Sequence, residues 1–405
     1  MEKHTRVFER FATFENLYSG YLLARREKRY KREVLEYSAH LEEHIVTDLH
    51  RLLDKTYHTG EPHPFYEYYP KKRLIHSLPF NDRVINCAAY LQLWPIYSKS
   101  FYEHSYGSVP NMGTVKAVNR LQSWLRLVSR KPDKWYIGKL DIAKFFFRVP
   151  IEVQLRELGR PLDDPDMMWF LETAIRADGR PLGLPLDCQD VETAERIPGI
   201  GMQVGSLISQ TTANVVLTPL DHYIKRVLRV PYYIRYMDDM IILCPSKKET
   251  WDMAAGVDEY LRSHLGLQLN RKTAVMPVTR GVEFIGRHIS ADMVTLRKET
   301  TLRIKHHLKL LMKQYAEGKV TLEHCIIVLA SYMGLLKHTD SKALTEKVLE
   351  SFVLIRNSEK CHEACGVQSP GRWSADYTVG DWRSDCSPVC FVCGDTENSV
   401  YWGGT

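Results

Sequence analysis

Three acidic residues stand out because of their surroundings. Asp141 closes an otherwise apolar run, Lys139-Leu140-Asp141-Ile142. Asp238 and Asp239 lie between Tyr232-Tyr233-Ile234 and Met240-Ile241-Ile242-Leu243, the pattern of a β-hairpin with acids in its turn. A carboxylate beside a buried strand is costly to desolvate unless it is paired or binds a cation. Bringing these acids together adds mutual repulsion, which a divalent cation removes. Carboxylate ligands with little histidine or cysteine nearby favour Mg²⁺, an ion that keeps waters and shares its shell with phosphates. Two such ions would activate a hydroxyl and stabilise a leaving pyrophosphate. The alternative, from spacing alone, is that the acids merely close strand-end turns.

The elements that must hold these acids follow from periodicity. Leu41, Ile45, Leu49 and Leu52-Leu53 are spaced for an amphipathic helix. Residues 56–70, rich in Pro, Gly, His and Tyr, read as a loop leading into a strand, and residues 71–130 resume helical patterning. A strand precedes Asp141 and an aromatic cluster follows it. Residues 159–200, with GRPLDDPD and GRPLGLPLDCQD, suggest an irregular insertion. A glycine-punctuated loop and an apolar helix lead to the hairpin; a helix over 251–265 and a strand pair over 281–289 follow. Residues 298–352 read as two or three helices.

Composition narrows the class. The 405 residues are 44% hydrophobic, which excludes wholesale disorder. No run approaches the roughly 18–20 apolar residues of a membrane-spanning helix. The N-terminal MEKHTRVFERF is charged where an export signal is apolar, so a cytoplasmic protein that does not enter a membrane is expected. The formal net charge is +6, but residues 357–405 carry three basic and seven acidic side chains, a net −4 that leaves +10 for residues 1–356. The run from Arg25 to Arg32, which includes Arg26 and Arg29, holds six cations in eight residues. On a helix they would cover most of its circumference, either as a solvated face or as a contact for a phosphate backbone. Lys305, Lys309 and Lys313 recur every four residues, apart from an apolar face of Ile304, Leu308, Leu311 and Tyr315. Cys87, Cys188, Cys244 and Cys325 read as ordinary buried thiols. Five more, Cys361, Cys365, Cys386, Cys390 and Cys393, could hold zinc or be incidental thiols of a loose tail.

Taken in order, these blocks resemble bacterial reverse transcriptases of the group II-intron-like lineage. Lys72-Arg73-Leu74-Ile75 and Leu78 to Val84 resemble the fingers; Lys139 to Phe146, the first catalytic block. Gly201 to Gln210 with Ala213-Asn214 resembles the loop and helix supporting template and nucleotide. Tyr236-Met237-Asp238-Asp239 resembles the palm turn; Leu269-Asn270-Arg271-Lys272-Thr273 and the primer grip Phe284-Ile285-Gly286 follow. The resemblance implies an α+β right-hand polymerase fold, with fingers and palm built from antiparallel sheet plus helices, and a helical thumb. A basic helical extension over 1–70, fingers and palm over 71–290, a thumb over 291–356 and a cysteine-containing acidic tail over 357–405 are expected.

It also implies roles. Asp141 and Asp238 would hold two Mg²⁺ ions, supported by Asp239 and by the main chain of Ile142. Lys272 would give a proton to the leaving pyrophosphate. Lys71, Arg73 and Arg83 would clamp the triphosphate, a task suited to guanidinium. Phe145, Phe146, Val204 and Gln210 would line the nucleotide site, with Phe146 excluding a 2′-hydroxyl. The partners implied are an RNA template, a cDNA or DNA primer and dNTPs.

Within that family, Val204 stands where most relatives carry glutamine, and Ser209-Gln210 where most carry Ser-Pro. That form resembles the enzymes of diversity-generating retroelements, which copy RNA with frequent errors at adenines; an accessory protein oligomer would then be a partner. Tyr332 to Ser341 resembles the same group. The 159–200 segment and the tail depart from its minimal pattern, which keeps antiphage (abortive-infection type) reverse transcriptases as an alternative. A catalytically silent RNA-binding scaffold is the alternative from another class, disfavoured by three intact acids.

Overall fold

The structure is a computed structural model that describes residues 3–67, 73–188 and 194–356. The 357–405 tail, with its zinc reading, and Lys71 lie outside the described residues.

Four helices open the chain: α1 (Val7–Phe11), α2 (Phe14–Ala24), α3 (Arg32–Ala39) and α4 (Leu41–Leu53). An antiparallel pair, β1 (His63–Glu67) and β2 (Arg73–Ser77), leads into α5 (Phe80–Tyr97) and α6 (Gly113–Ser129). Helix α2 crosses α5 so closely that a Cβ on Gly20 would sit 2.6 Å from the Val84 carbonyl oxygen. Buried Asn16 ties the pair, its Nδ2 donating to the carbonyls of Phe11 and Ala88 at 2.9 and 3.1 Å. Helices α1 to α4 are therefore packed onto α5. The cationic run does not form a helix of its own. Helix α2 ends at Ala24, Glu27 adopts φ 61°, and α3 starts at Arg32, so the run makes an exposed turn.

Next come β3 (Tyr136–Asp141), α7 (Phe145–Arg148), α8 (Ile151–Gly159), α9 (Pro165–Arg176) and α10 (Leu207–Arg226). The expectation of an irregular 159–200 segment is corrected over α9. Asp164 caps it by accepting from the Met167 N–H at 3.0 Å, Pro165 opens it, and Phe170 meets Phe11 in the core. The other Asp164 oxygen accepts from the Phe8 N–H at 2.9 Å, stitching α9 to α1.

The central sheet has the order β4-β5-β3-β6 and is antiparallel throughout, formed by β3 with β4 (Tyr232–Tyr236), β5 (Asp239–Cys244) and β6 (Ala274–Pro277). Helix α11 (Lys247–Tyr260) follows β5. Alternation divides the sheet into two buried faces. Leu140, Met240, Ile242 and Cys244 pack towards α10 and α11. Ile137, Ile234, Ile241 and Leu243 pack towards α6 and a second sheet of β7 (Val282–Phe284), β8 (Arg287–Ile289) and β9 (Val294–Leu296). Burial on both faces explains the unbroken apolar run of β5. Three helices, α12 (Lys298–Ala316), α13 (Leu322–Leu336) and α14 (Lys342–Ser351), share a separate core around Ile304, Leu308, Cys325 and Tyr332. Asp340 joins them to β9 through two main-chain contacts with Val294, at 2.7 and 2.8 Å. Of the four cysteines expected to be buried, Cys188 is only partly so. Among the described residues no helix is long and apolar enough to cross a membrane.

Candidate active site

The acids meet at one end of the central sheet. The β3–β5 register sets Asp141 opposite Asp239, and alternation puts both on the face shared with Ile137, Ile241 and Leu243. Asp238 occupies the two-residue turn between β4 and β5 with Met237, whose φ of 56° is left-handed. The Ile142 N–H donates to the Asp238 carbonyl at 3.3 Å, closing the turn onto the end of β3.

Like charges opposite one another destabilise a strand pair, and the cost is visible at Asp239. Burial, followed by the neighbouring Asp141 and Asp238 carboxylates and opposed by Lys139 and Arg297, pushes its carboxyl up to about 7. Its Oδ1 is buried and accepts no hydrogen bond among the described residues. Because the folded value is raised, ionisation costs stability: nothing below about pH 4, and increasingly as pH rises through about 7. An orphaned carboxylate oxygen among acids is a fit for a hard divalent cation. Among the described residues no three His, Cys, Asp or Glu side chains already converge as a metal cage. Mg²⁺ does not need one, since it takes one or two carboxylates and completes its shell with water and phosphate.

A neighbour that the sequence reading passed over is Asn270. Its Nδ2 donates to Asp141 Oδ2 at 2.9 Å, its N–H to the Asp141 carbonyl at 2.6 Å, and its Oδ1 accepts the Lys272 N–H at 3.1 Å. It lies inside the Leu269–Thr273 block, so position was available as a signal although role was not. Partners of this kind orient metal ligands, and their loss typically costs 10–100-fold in affinity. Asn270→Ala is expected to raise the Mg²⁺ needed for half-maximal activity roughly tenfold; a magnesium titration of the variant measures it, and an unchanged requirement would remove Asn270 from the site.

Other sequence-predicted residues are distributed as follows. Phe146 is half-buried at the start of α7; its carbonyl accepts the Met202 N–H at 2.7 Å, bringing it beside the loop that carries half-buried Val204. Gln210, also half-buried, accepts from the Ser108 hydroxyl at 3.1 Å. Lys272 is exposed, and Arg73 opens β2. Ile285 and Gly286 form the tight turn between β7 and β8 with φ of 49° and 74°, the pairing that a two-residue hairpin loop demands.

Three expectations are corrected. Phe145 is 1% exposed and belongs to the core beneath the sheet, so its ring cannot meet a nucleotide. Phe284 is fully buried in the opposite core, which leaves the primer-grip surface to Ile285 and Gly286. Arg83 is turned to the N-terminal helices, where its Nη2 lies 2.5 Å from Glu33 and its guanidinium covers the Phe80 ring. Among the more distant cations, Arg25 lies over the Tyr21 ring and Arg32 pairs with Glu36 at 2.6 Å, while Arg26 and Arg29 are exposed. Lys305 and Lys309 border a cleft of about 430 Å³ between α12 and α14, and Lys313 lies 3.9 Å from Glu317.

An antiparallel palm sheet that ends in paired acids, flanked by helices and followed by a helical bundle, is the right-hand polymerase fold. The profile of the reverse transcriptase (RNA-dependent DNA polymerase) family matches residues 67–289, more than half of the chain, and the chain belongs to that family. The COX1/OXI3 intron 2 protein of Saccharomyces cerevisiae is 19% identical over 294 residues, 57% of this chain and 33% of that one. Protein YkfC of Escherichia coli is 22% identical over 241 residues, 51% of this chain and 60% of that one. The chain thus spans a third to three-fifths of these relatives. Among solved structures, an RNA-dependent RNA polymerase of a human picobirnavirus aligns with TM-score 0.45 and 16% identity, over 72% of this chain and 56% of that one. Candida albicans telomerase aligns with TM-score 0.40 and 13% identity, over 75% and 57%.

Proposed function

We propose that the protein is an RNA-directed DNA polymerase of the group II-intron-like lineage, extending a primer with dNTPs by two-metal-ion nucleotidyl transfer. The observation that carries this is the register that pairs Asp141 with Asp239 beside Asp238, in a chain of the reverse transcriptase family. Two Mg²⁺ ions, when bound, supply an activated 3′-hydroxyl and charge neutralisation at the leaving pyrophosphate. Asp141 and Asp238 are the residues to hold both, with Asp239 and the Ile142 carbonyl in support. Lys272 is placed by sequence to return a proton to pyrophosphate, and Arg73 with Lys71 to hold the triphosphate. The exposed Arg26 and Arg29, with Lys305, Lys309 and Lys313, would neutralise template and primer phosphates. The proposal is tested by primer extension on an RNA template with dNTPs and Mg²⁺; incorporation equal to that of Asp238→Ala would leave the RNA-binding scaffold reading standing.

Phe146 supplies the sugar filter in this account. Phe146→Ala is expected to raise rNTP incorporation relative to dNTP by on the order of 10²-fold, the scale on which one added group is discriminated in a shaped pocket. Unchanged sugar discrimination would reduce Phe146 to core packing against Phe145.

The finer reading is the error-prone enzyme of a diversity-generating retroelement, acting with an accessory protein oligomer. Val204 supports it, because an isopropyl group offers no hydrogen bond with which to check a base pair. Val204→Gln is expected to lower misincorporation opposite template adenines by roughly tenfold, one lost hydrogen bond being worth about 1 kcal/mol or slightly more. Sequenced cDNA reads this out, and an unchanged error spectrum favours the antiphage alternative.

A further inference from the structure

Directly under the acidic turn lies a guanidinium with no exposure to solvent. Arg235 is 0% exposed, as are its partners Asp221 and Asn214. Its Nη2 lies 2.7 Å from Asp221 Oδ2 and its Nε 2.8 Å from Asp221 Oδ1. The remaining nitrogen, Nη1, points at the turn, donating to Asn214 Oδ1 at 3.1 Å and to the Met237 carbonyl at 3.2 Å. Asn214 passes the contact on, its Nδ2 donating to the Gly107 carbonyl at 2.9 Å. Gly107 then returns to the turn from the other side. A Cβ there would lie 2.5 Å from Met237 Cγ and 2.7 Å from the Met237 main-chain nitrogen. The strand-like segment around Gly107 is itself fastened along β4, since the Arg235 N–H donates to the His104 carbonyl and the Tyr106 N–H to the Arg235 carbonyl, at 3.0 and 2.9 Å.

A buried ion pair is a poor way to stabilise a core compared with apolar packing, so its value lies in geometry. Every donor of this guanidinium that faces the turn is committed, and the turn it meets has a non-glycine residue in left-handed backbone, a conformation that persists only where its surroundings enforce it. We propose that Arg235, Asn214 and Gly107 form a brace that positions the Met237 turn and thereby sets Asp238 and Asp239 against Asp141. They are positioning residues, acting through the acids. The inference rests on the metal-binding reading of those acids and adds residues that reading does not contain.

Loosening the brace should weaken cation binding while leaving RNA binding intact. Arg235→Lys keeps a charge for Asp221 but cannot reach Asp221, Asn214 and Met237 together. Asn214→Ala breaks the link at its middle, and Gly107→Ala pushes on the turn directly. The test is Mn²⁺ binding followed by electron paramagnetic resonance, on full-length protein with a dideoxy-terminated primer on an RNA template and the matched dNTP. Asn214→Ala and Arg235→Lys are expected to raise the Mn²⁺ Kd by roughly 10–100-fold, with template–primer affinity within about twofold of wild type. Wild-type Mn²⁺ affinity in either folded variant overturns the brace; Gly107→Ala serves as the deciding third variant if one of them fails to fold. Wild-type protein that binds Mn²⁺ through Asp238, loses it in Asn214→Ala, yet adds no dNTP to a primer with a free 3′-hydroxyl would sink the polymerase reading and leave the brace standing. Wild-type protein that binds no Mn²⁺ overturns both.

Discussion

Asp141→Asn and Asp238→Asn are each expected to cut RNA-templated dNTP incorporation by roughly 10³-fold or more, with template binding unchanged. The substitution keeps side-chain shape and removes one negative charge. A factor of 10³ corresponds to about 4 kcal/mol of transition-state stabilisation, the scale lost when one electrostatic element of a preorganised site is removed. Template affinity should not follow, because in the proposed reading the template phosphates would be neutralised by cations of the Arg25–Arg32 turn and of helix α12, not by the acids. Asp239→Asn should behave differently. Its carboxyl is the one raised to about 7 by burial and by its acidic neighbours, so removing the charge relieves a cost in the metal-free protein. That variant is expected to gain thermal stability above pH 7 without Mg²⁺, and to lose activity less severely than the other two. Single-turnover primer extension and a melting curve on the same preparations measure both effects.

The second large effect concerns stability. Arg235→Met leaves the Asp221 carboxylate buried with, among the described residues, only the Tyr233 hydroxyl, 2.6 Å away, to answer it. Stranding a buried charge costs about 3–5 kcal/mol, a large share of the 5–15 kcal/mol that holds a typical domain. The double variant Arg235→Met/Asp221→Leu is expected to recover most of that loss, because neither charge is then stranded. Denaturant midpoints for the single and double variants give the comparison, and equal midpoints would mean that the pair is not the source of the cost. Recovery of stability without recovery of Mn²⁺ affinity is the outcome that separates a positioning role from a packing one.

These residues show where sequence was legible. The strand to Asp141 and the hairpin around Asp238 are contiguous, with apolar runs that burial on both faces of the sheet requires, so their elements could be read directly. Asn270 was visible as part of a block but not as the residue that holds Asp141, because 129 positions separate the two and the contact exists only once β3 and the 269–273 turn are adjacent. Arg235 carried a signal of its own: a cation in the middle of Tyr232–Tyr236, an otherwise apolar strand, must find a buried partner or break the strand. Asp164-Pro165 likewise carried a helix-start signal within a segment whose glycines and prolines suggested irregularity. The resemblance places Phe145 at the nucleotide site and Phe284 in the primer grip, but a matching block does not distinguish a ring under a sheet from a ring above it; only the packing of the two cores does. The basic run lies in a segment expected to be helical, yet the docking of α2 and α3 on α5 puts a turn there.

Primer extension with wild-type protein, on an RNA template with an annealed DNA primer, each dNTP singly and a Mg²⁺ titration, decides whether these acids support polymerisation. The expected result is addition of the dNTP complementary to the template base, saturating with Mg²⁺ and lost in Asp238→Asn. Protein that binds the template–primer and Mg²⁺ but extends nothing, or extends equally well with Asn at position 238, would contradict it.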